Sequence, residues 1–354
     1  MQNKKIRVMI VDDSLLFRQI LASELSMDPE IEIVAKASDP FQARDMILET
    51  QPQVMTCDIE MPRMNGIEFI RRLLPQYPLP VIMVSTVTSA VFDAMNAGAV
   101  DFVVKPNARP VLVGQENKPD MRQNLELFIQ ELKAKIKTAA HARVRQETVG
   151  QAVEVNNHDV FDSGNLIAIG ASTGGTEAIF SVLSALPANM PGIVIVQHIP
   201  PVFSHMFAER LDKQTRLTVK EAENNDIVEP GHVILAPGDK HIQVKRIGGQ
   251  YKIECFAGEK VNGHCPSVDV LFHSVAHEAG RRAIGLILTG MGSDGARGLL
   301  AMRNSGARTL GQDEESCVVY GMPRAAYEMG AVGRQASLSD LPGMLITLSR
   351  DPVK

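Results

Sequence analysis

Short apolar runs alternate with longer stretches in which apolar residues recur every three or four positions. In the first half, Ile6–Val11, Ile31–Lys36, Gln53–Cys57, Val81–Val84 and Asp101–Val104 predict strands. Between them, Leu15, Leu16, Ile20, Leu21 and Leu25 predict a helix face, with Ser14 placed to cap it. Strands apolar on both faces and alternating with helices predict a parallel sheet covered on both sides. Met121, Leu125, Phe128, Leu132 and Ile136 form a further helical stripe. We expect it to pack on its own sheet; a dimerisation helix is the alternative, and a monomer is expected. From 139 to 163 the periodicity is lost and polar residues dominate, as in a linker.

After 163 the alternation resumes. Leu166–Gly170, Gly192–Val196 and Ala283–Thr289 predict strands and Thr176–Leu186 a helix. Gly248-Gly249 joins His241–Ile247 to Gln250–Cys255 as a hairpin. The expected fold is α/β in two domains, 1–138 and 164–350, the second mostly parallel and doubly wound, with an antiparallel hairpin. A length of 354 residues agrees with two domains at ~150 residues each.

Composition narrows the function. The formal net charge is −5 and no segment is strongly basic, so nucleic acid is not an expected partner. Cys57, Cys255, Cys265 and Cys317 show no CxxC spacing, which points to neither a zinc site nor a disulfide framework. No apolar run approaches the ~18–20 residues of a membrane span. Lys4, Lys5 and Arg7 precede only Val8–Val11 before two aspartates, too short for a signal-peptide core. We expect a cytoplasmic protein that is not inserted in a membrane.

Polar residues gather where the predicted strands end. In the first half these are Asp12, Asp13, Asp58, Ser85 and Lys105. In a parallel sheet such positions share one edge. Carboxylates ~4 Å apart repel by ~4 kcal/mol at an effective dielectric of ~20, and an all-oxygen set relieves this best with a hard cation such as Mg²⁺. In the second half, Gly170-x-Ser172-x-Gly174 fits a turn that exposes a serine above a sheet. The same glycines could instead cradle a phosphate at a helix start, although neither GxGxxG nor GxxxxGK[ST] is present. His198 and Asp294 also follow predicted strands. Nucleophile, base and orienting carboxylate from three strand ends is the arrangement a hydrolytic triad requires.

Two resemblances follow. Val-Asp-Asp-Ser (11–14), Cys-Asp-Ile-Glu-Met-Pro-Arg-Met-Asn-Gly (57–66) and Val-Val-Lys-Pro (103–106) resemble the two-component receiver domain, a five-stranded parallel flavodoxin-like fold. That resemblance implies a histidine kinase as partner and Asp58 as phosphoacceptor. It also implies Mg²⁺ on Asp12, Asp13, Asp58 and the Glu60 carbonyl, phosphoryl contacts from Ser85 and Lys105, and Phe102 as the switch residue.

The whole chain resembles the chemotaxis protein-glutamate methylesterases, in which a receiver is fused to a serine esterase. The motifs are Gly-Ala-Ser-Thr-Gly-Gly-Thr-Glu-Ala-Ile (170–179), Gln-His-Ile-Pro (197–200), Pro-Ser-Val-Asp-Val-Leu-Phe (266–272), Leu-Thr-Gly-Met-Gly-Ser-Asp-Gly (288–295) and Val-Tyr-Gly-Met-Pro (319–323). Cys265 stands where that family often has a basic residue. The resemblance implies hydrolysis of glutamate methyl esters, and deamidation of glutamines, on the cytoplasmic helices of chemoreceptors. Ser172, His198 and Asp294 would form the triad, with Thr173 and Met291 N–H groups as oxyanion donors and no cofactor in the esterase site. The fusion further implies that the receiver restrains the esterase, by covering its cleft, until Asp58 is phosphorylated. The alternatives are a receiver driving a non-enzymatic protein-binding module, a nucleotide-binding domain, or the same esterase in another sensory pathway.

Overall fold

The computed structural model describes residues 5–86, 90–106, 121–143, 161–162 and 164–350. The chain divides into two compact units, Met1–Gln146 and Glu147–Lys354. Most of the expected linker, and residues 107–120, lie outside the described residues.

The first unit runs β1 (Ile6–Val11), α1 (Leu15–Ser26), β2 (Ile31–Ala37), α2 (Pro40–Thr50), β3 (Val54–Cys57), α3 (Gly66–Leu73), β4 (Val81–Ser85), α4 (Val91–Asn96), β5 (Asp101–Val104) and α5 (Met121–Ala139). The strand order β2-β1-β3-β4-β5 is all parallel. It reverses direction between β1 and β3, the point at which a doubly wound sheet opens a crevice for ligands. Ser14 caps α1, its side chain accepting from the Phe17 N–H. The apolar stripe of α1 is narrower than the sequence predicts: Leu21 and Leu25 are buried, whereas Leu15 and Leu16 are 63% and 69% exposed. At 100° per residue these two sit ~120–140° round the helix from Leu21. Phe17 points inward instead and meets the Phe128 ring of α5 at 5.8 Å. Phe128, Leu132 and Ile136 are buried within this unit, as expected of a helix packed on its own sheet.

The second unit runs β6 (Leu166–Ala171), α6 (Gly175–Ser184), β7 (Gly192–Gln197), α7 (Phe203–Gln214), β8 (Thr218–Glu221), β9 (His232–Leu235), β10 (His241–Ile247), β11 (Gln250–Phe256), α8 (Val268–Glu278), β12 (Ala283–Ile287), α9 (Ala296–Asn304), β13 (Arg308–Gln312), α10 (Met322–Glu328), β14 (Arg334–Ala336) and α11 (Leu341–Arg350). Seven strands form one parallel sheet in the order β14-β13-β12-β6-β7-β9-β8. The antiparallel pair β10–β11 is a separate two-stranded sheet rather than an extension of the large one.

The core joins the large sheet to α8, α9 and the hairpin and includes the fully buried Phe272. Burying such a side chain is worth roughly 1.5–3 kcal/mol. Gly170 lets α8 approach the end of β6: a Cβ there would lie 2.2 Å from Val268 Cγ1. That contact brings the start of α8 beneath the sheet edge. No helix among the described residues is long and apolar enough to cross a membrane.

Candidate active site

In the first unit the acidic residues converge. Asp12 and Asp13 follow β1, Asp58 follows β3, and one carboxylate oxygen from each lies within 4.8 Å of the others. Lys105, after β5, reaches Asp12 Oδ2 at 2.6 Å and Asp58 Oδ2 at 2.5 Å. Burial raises the Asp58 carboxyl above the ordinary range, despite the opposing Lys105 ammonium. Lys105 itself is raised, its burial outweighed by bonds to Asp12 and Asp58. Ser85 is buried at the end of β4, and Glu60 is exposed. Phe102 is buried in β5, with Lys135 Nζ 2.7 Å from its carbonyl and 5.1 Å from its ring centroid. Gly66 is forced by the same loop, since a Cβ would fall 1.9 Å from the Asp58 carbonyl oxygen. The three carboxylates form an oxygen-only set suited to a hard divalent cation such as Mg²⁺.

In the second unit the strand order reverses at β6 and β12, and Ser172, His198 and Asp294 follow β6, β7 and β12. The ends of β6 and β7 are tied together. His198 N–H donates to the Ala171 carbonyl at 3.1 Å, and Gln197 Nε2 donates to the Ser172 and His198 carbonyls at 2.9 and 3.1 Å. Ser172 N–H donates to the Thr289 carbonyl at 3.0 Å, which draws in the loop after β12. His198 Nε2 lies 2.8 Å from Asp294 Oδ2. With Nε2–H engaged, Nδ1 is the basic nitrogen; it is buried and has no hydrogen-bond partner among the described residues. The structure thus joins His198 to Asp294, and it sets Ser172 just past the intervening strand with no hydrogen bond to the ring.

Asp294 is 2% exposed and accepts from five donors. Besides His198 these are Asn262 Nδ2 at 2.8 Å, Ser267 Oγ at 2.7 Å, and the N–H groups of Val268 and Asp269 at 2.7 and 3.2 Å. The last two open α8, so the carboxylate caps a helix N-terminus, where negative charge is favoured. Burial opposes ionisation, yet the bonds from His198, Asn262 and Ser267 hold the carboxyl well below the usual range.

Thr173 follows the serine into the turn before α6, and its carbonyl accepts from Thr289 Oγ1 at 3.0 Å. Met291 is half exposed in the loop after β12. The neighbouring Gly290 N–H is already donated to the Val319 carbonyl at 3.0 Å, and the Met322 N–H donates back to Gly290 at 2.7 Å. Val319–Pro323 therefore braces that loop.

The CheB methylesterase family model matches residues 167–345, and the response regulator receiver domain model matches residues 8–115. The chain belongs to the CheB methylesterase family. It is 55% identical over 341 residues to a protein-glutamate methylesterase/protein-glutamine glutaminase 2 of Syntrophomonas wolfei, covering 96% of each chain. A protein-glutamate methylesterase/protein-glutamine glutaminase of Salmonella typhi is 46% identical over 347 residues, covering 97% of this chain and 96% of that one. The solved CheB methylesterase catalytic domain of Thermotoga maritima superposes with a TM-score of 0.51 at 38% identity, covering 52% of this chain and 98% of that one.

In this CheB-family chain, residues from outside the strand ends complete the site. Asn262 and Ser267 hold Asp294, and His264 stacks face to face on His198, with ring centroids 3.6 Å apart and planes 6° from parallel. The sequence signal for Ser267 and Asp269 is their place in the Pro-Ser-Val-Asp-Val-Leu-Phe motif at 266–272. Asn262 and His264 carried none, because a histidine in a loop has no periodicity to read.

Proposed function

We propose that this chain hydrolyses glutamate γ-methyl esters, and deamidates glutamines, on the cytoplasmic helices of chemoreceptors, in adaptation of bacterial chemotaxis. The observation that carries this reading is the His198–Asp294 hydrogen bond beside a strand ending in Ser172, with His198 Nδ1 buried and unpartnered.

In the proposed cycle, Ser172 Oγ attacks the ester carbonyl as its proton passes to His198 Nδ1. Asp294 holds the tautomer and stabilises the imidazolium. The Thr173 and Met291 N–H groups receive the oxyanion. Collapse breaks the C–OMe bond, the imidazolium returns its proton, and methanol leaves an acyl-enzyme on Ser172. Water, deprotonated by His198, then releases the glutamate carboxylate and restores the serine. With glutamine the leaving group is ammonia.

The receiver regulates this activity by accepting a phosphoryl group from a histidine kinase on Asp58. Asp12, Asp13, Asp58 and the Glu60 carbonyl would hold Mg²⁺, which when bound would neutralise phosphoryl charge. Lys105 and Ser85 contact the phosphoryl oxygens, and Phe102 responds as the switch residue. A shift between closed and open populations from 1:99 to 99:1 requires ~5.5 kcal/mol, and two or three charge-assisted hydrogen bonds at ~1.5–3 kcal/mol each approach that.

The test is methanol release from methyl-labelled receptor membranes, with and without a small phosphodonor. Release that rises with the donor supports the reading. No release under either condition rejects it.

A further inference from the structure

Asp294 has a second buried carboxylate beside it. Asp269, in the first turn of α8, is also buried, and its Oδ1 accepts from the Gly298 N–H at 2.7 Å. Among the described residues, neither carboxylate forms an ion pair with a lysine or arginine. One atom lies between them: Asn262 Nδ2 is 2.8 Å from Asp294 Oδ1 and 2.8 Å from Asp269 Oδ2. An amide NH₂ carries two hydrogens, one for each acid.

Local backbone explains why an asparagine can do this. Asn262 and Gly263 have φ of 52° and 85°. They form the tip of a tight turn closed by reciprocal Val261–His264 backbone hydrogen bonds of 3.0 Å. Asn-Gly is the pair that accepts positive φ at both central positions. The same turn delivers the His264 ring onto His198. One four-residue turn therefore contacts both members of the pair, through Asn262 on Asp294 and His264 on His198.

We propose that Asn262 is a positioning residue for that pair: its amide bridges two buried carboxylates, keeping Asp294 ionised and oriented toward His198, while its turn seats His264 against the imidazole. This rests on the hydrolase reading above. A donor hydrogen-bonded to a carboxylate favours its charged form, and Asn262 donates to both acids. The other titratable groups around the pair are His264, with Lys260 acting on it, and His241, whose Nδ1 accepts the Ser267 N–H. Burial and the neighbouring His198 hold His264 down at about 4, so it faces His198 as a neutral ring.

The test compares Asn262→Gly and Asn262→Asp in the full chain, both compatible with positive φ. Each is assayed for methanol release as kcat and KM across pH, and for the rate at which a fluorophosphonate labels Ser172. Loss of a charge-assisted bond predicts a fall in kcat of roughly 10–100-fold for Asn262→Gly, with KM changed less than about twofold. A carboxylate that loses a donor holds protons more tightly, so the acid limb of the kcat profile moves to higher pH. Asn262→Asp, which adds a third carboxylate, moves it further. A merely structural turn predicts an unmoved acid limb and no penalty for the aspartate beyond that for glycine; that result overturns the proposal. NMR titration of the His198 ring separates this from the hydrolase reading. An apparent pKa that rises from wild type to Asn262→Gly supports the positioning role even in a protein that releases no methanol, and an unchanged value refutes it.

Discussion

His198 Nε2–H bonds Asp294 Oδ2 at 2.8 Å, linking residues that follow the two strands flanking β6, after which Ser172 lies. His198 follows β7, Asp294 lies in the loop after β12, and β6 runs between those two strands. The bond fixes which nitrogen is free: Nε2 is engaged and Nδ1 is left to accept a proton.

If that bond selects the tautomer, Asp294→Asn should be nearly inactive even when folded. The amide would offer N–H or C=O in place of a pure acceptor, and loss of the corresponding aspartate function in a triad costs on the order of 10⁴ in kcat. Methanol release at saturating substrate measures this, with a melting curve to confirm folding. A loss below tenfold would remove Asp294 from the mechanism.

Ser172→Ala should abolish methanol release, a fall of ~10⁶, and leave the melting temperature near wild type. Ser172 is only partly buried, and its backbone bonds to Thr289, Gln197 and Gly175 do not involve the hydroxyl. Near-native turnover would show that another group is the nucleophile.

Metal dependence should separate by domain. Chelation with EDTA should stop phosphoryl transfer from a small phosphodonor to Asp58. It should leave unstimulated methanol release unchanged. Asp58→Asn should lose donor-stimulated activity while retaining the basal rate. A fragment of 163–354 should be faster than the unphosphorylated whole chain, and equal rates would contradict restraint by the receiver.

Stability should fall on acidification through the range in which His264 resists protonation. Its folded pKa of about 4 lies below the ordinary 6.5, through burial first and then the charge of His198. The unfolded chain therefore binds a proton more readily. The contribution is fully present above about 6.5 and is lost as pH falls toward 4. His264→Gln should flatten the decline in melting temperature between those values relative to wild type. An identical slope in the two proteins would show that His264 is not the group responsible.

Alternating apolar runs and helical periodicity, which are local properties of the chain, sufficed to read the first sheet, the strands β6, β7 and β12 of the second, and the strand ends bearing Asp12, Asp58, Ser172, His198 and Asp294; the short strands β8, β9, β13 and β14 were not legible this way. Side-chain direction beyond those ends was less legible. Leu15 and Leu16 belong to an apolar pattern yet face outward, because the helix phase is set by Leu21 and Leu25 against the sheet.

Only the tertiary structure decided what surrounds Asp294. Asn262 and Ser267 lie 32 and 27 residues before it, and the start of α8 meets it because Gly170 lets that helix settle close on β6. Which imidazole nitrogen meets the acid, and which ring covers the other face, depend on how a turn and a helix end pack from elsewhere in the chain. Hydrophobic period and strand ends are short-range signals. The hydrogen bonds that tune a buried carboxylate are long-range contacts, made only when the sheet, α8 and the Asn-Gly turn come together.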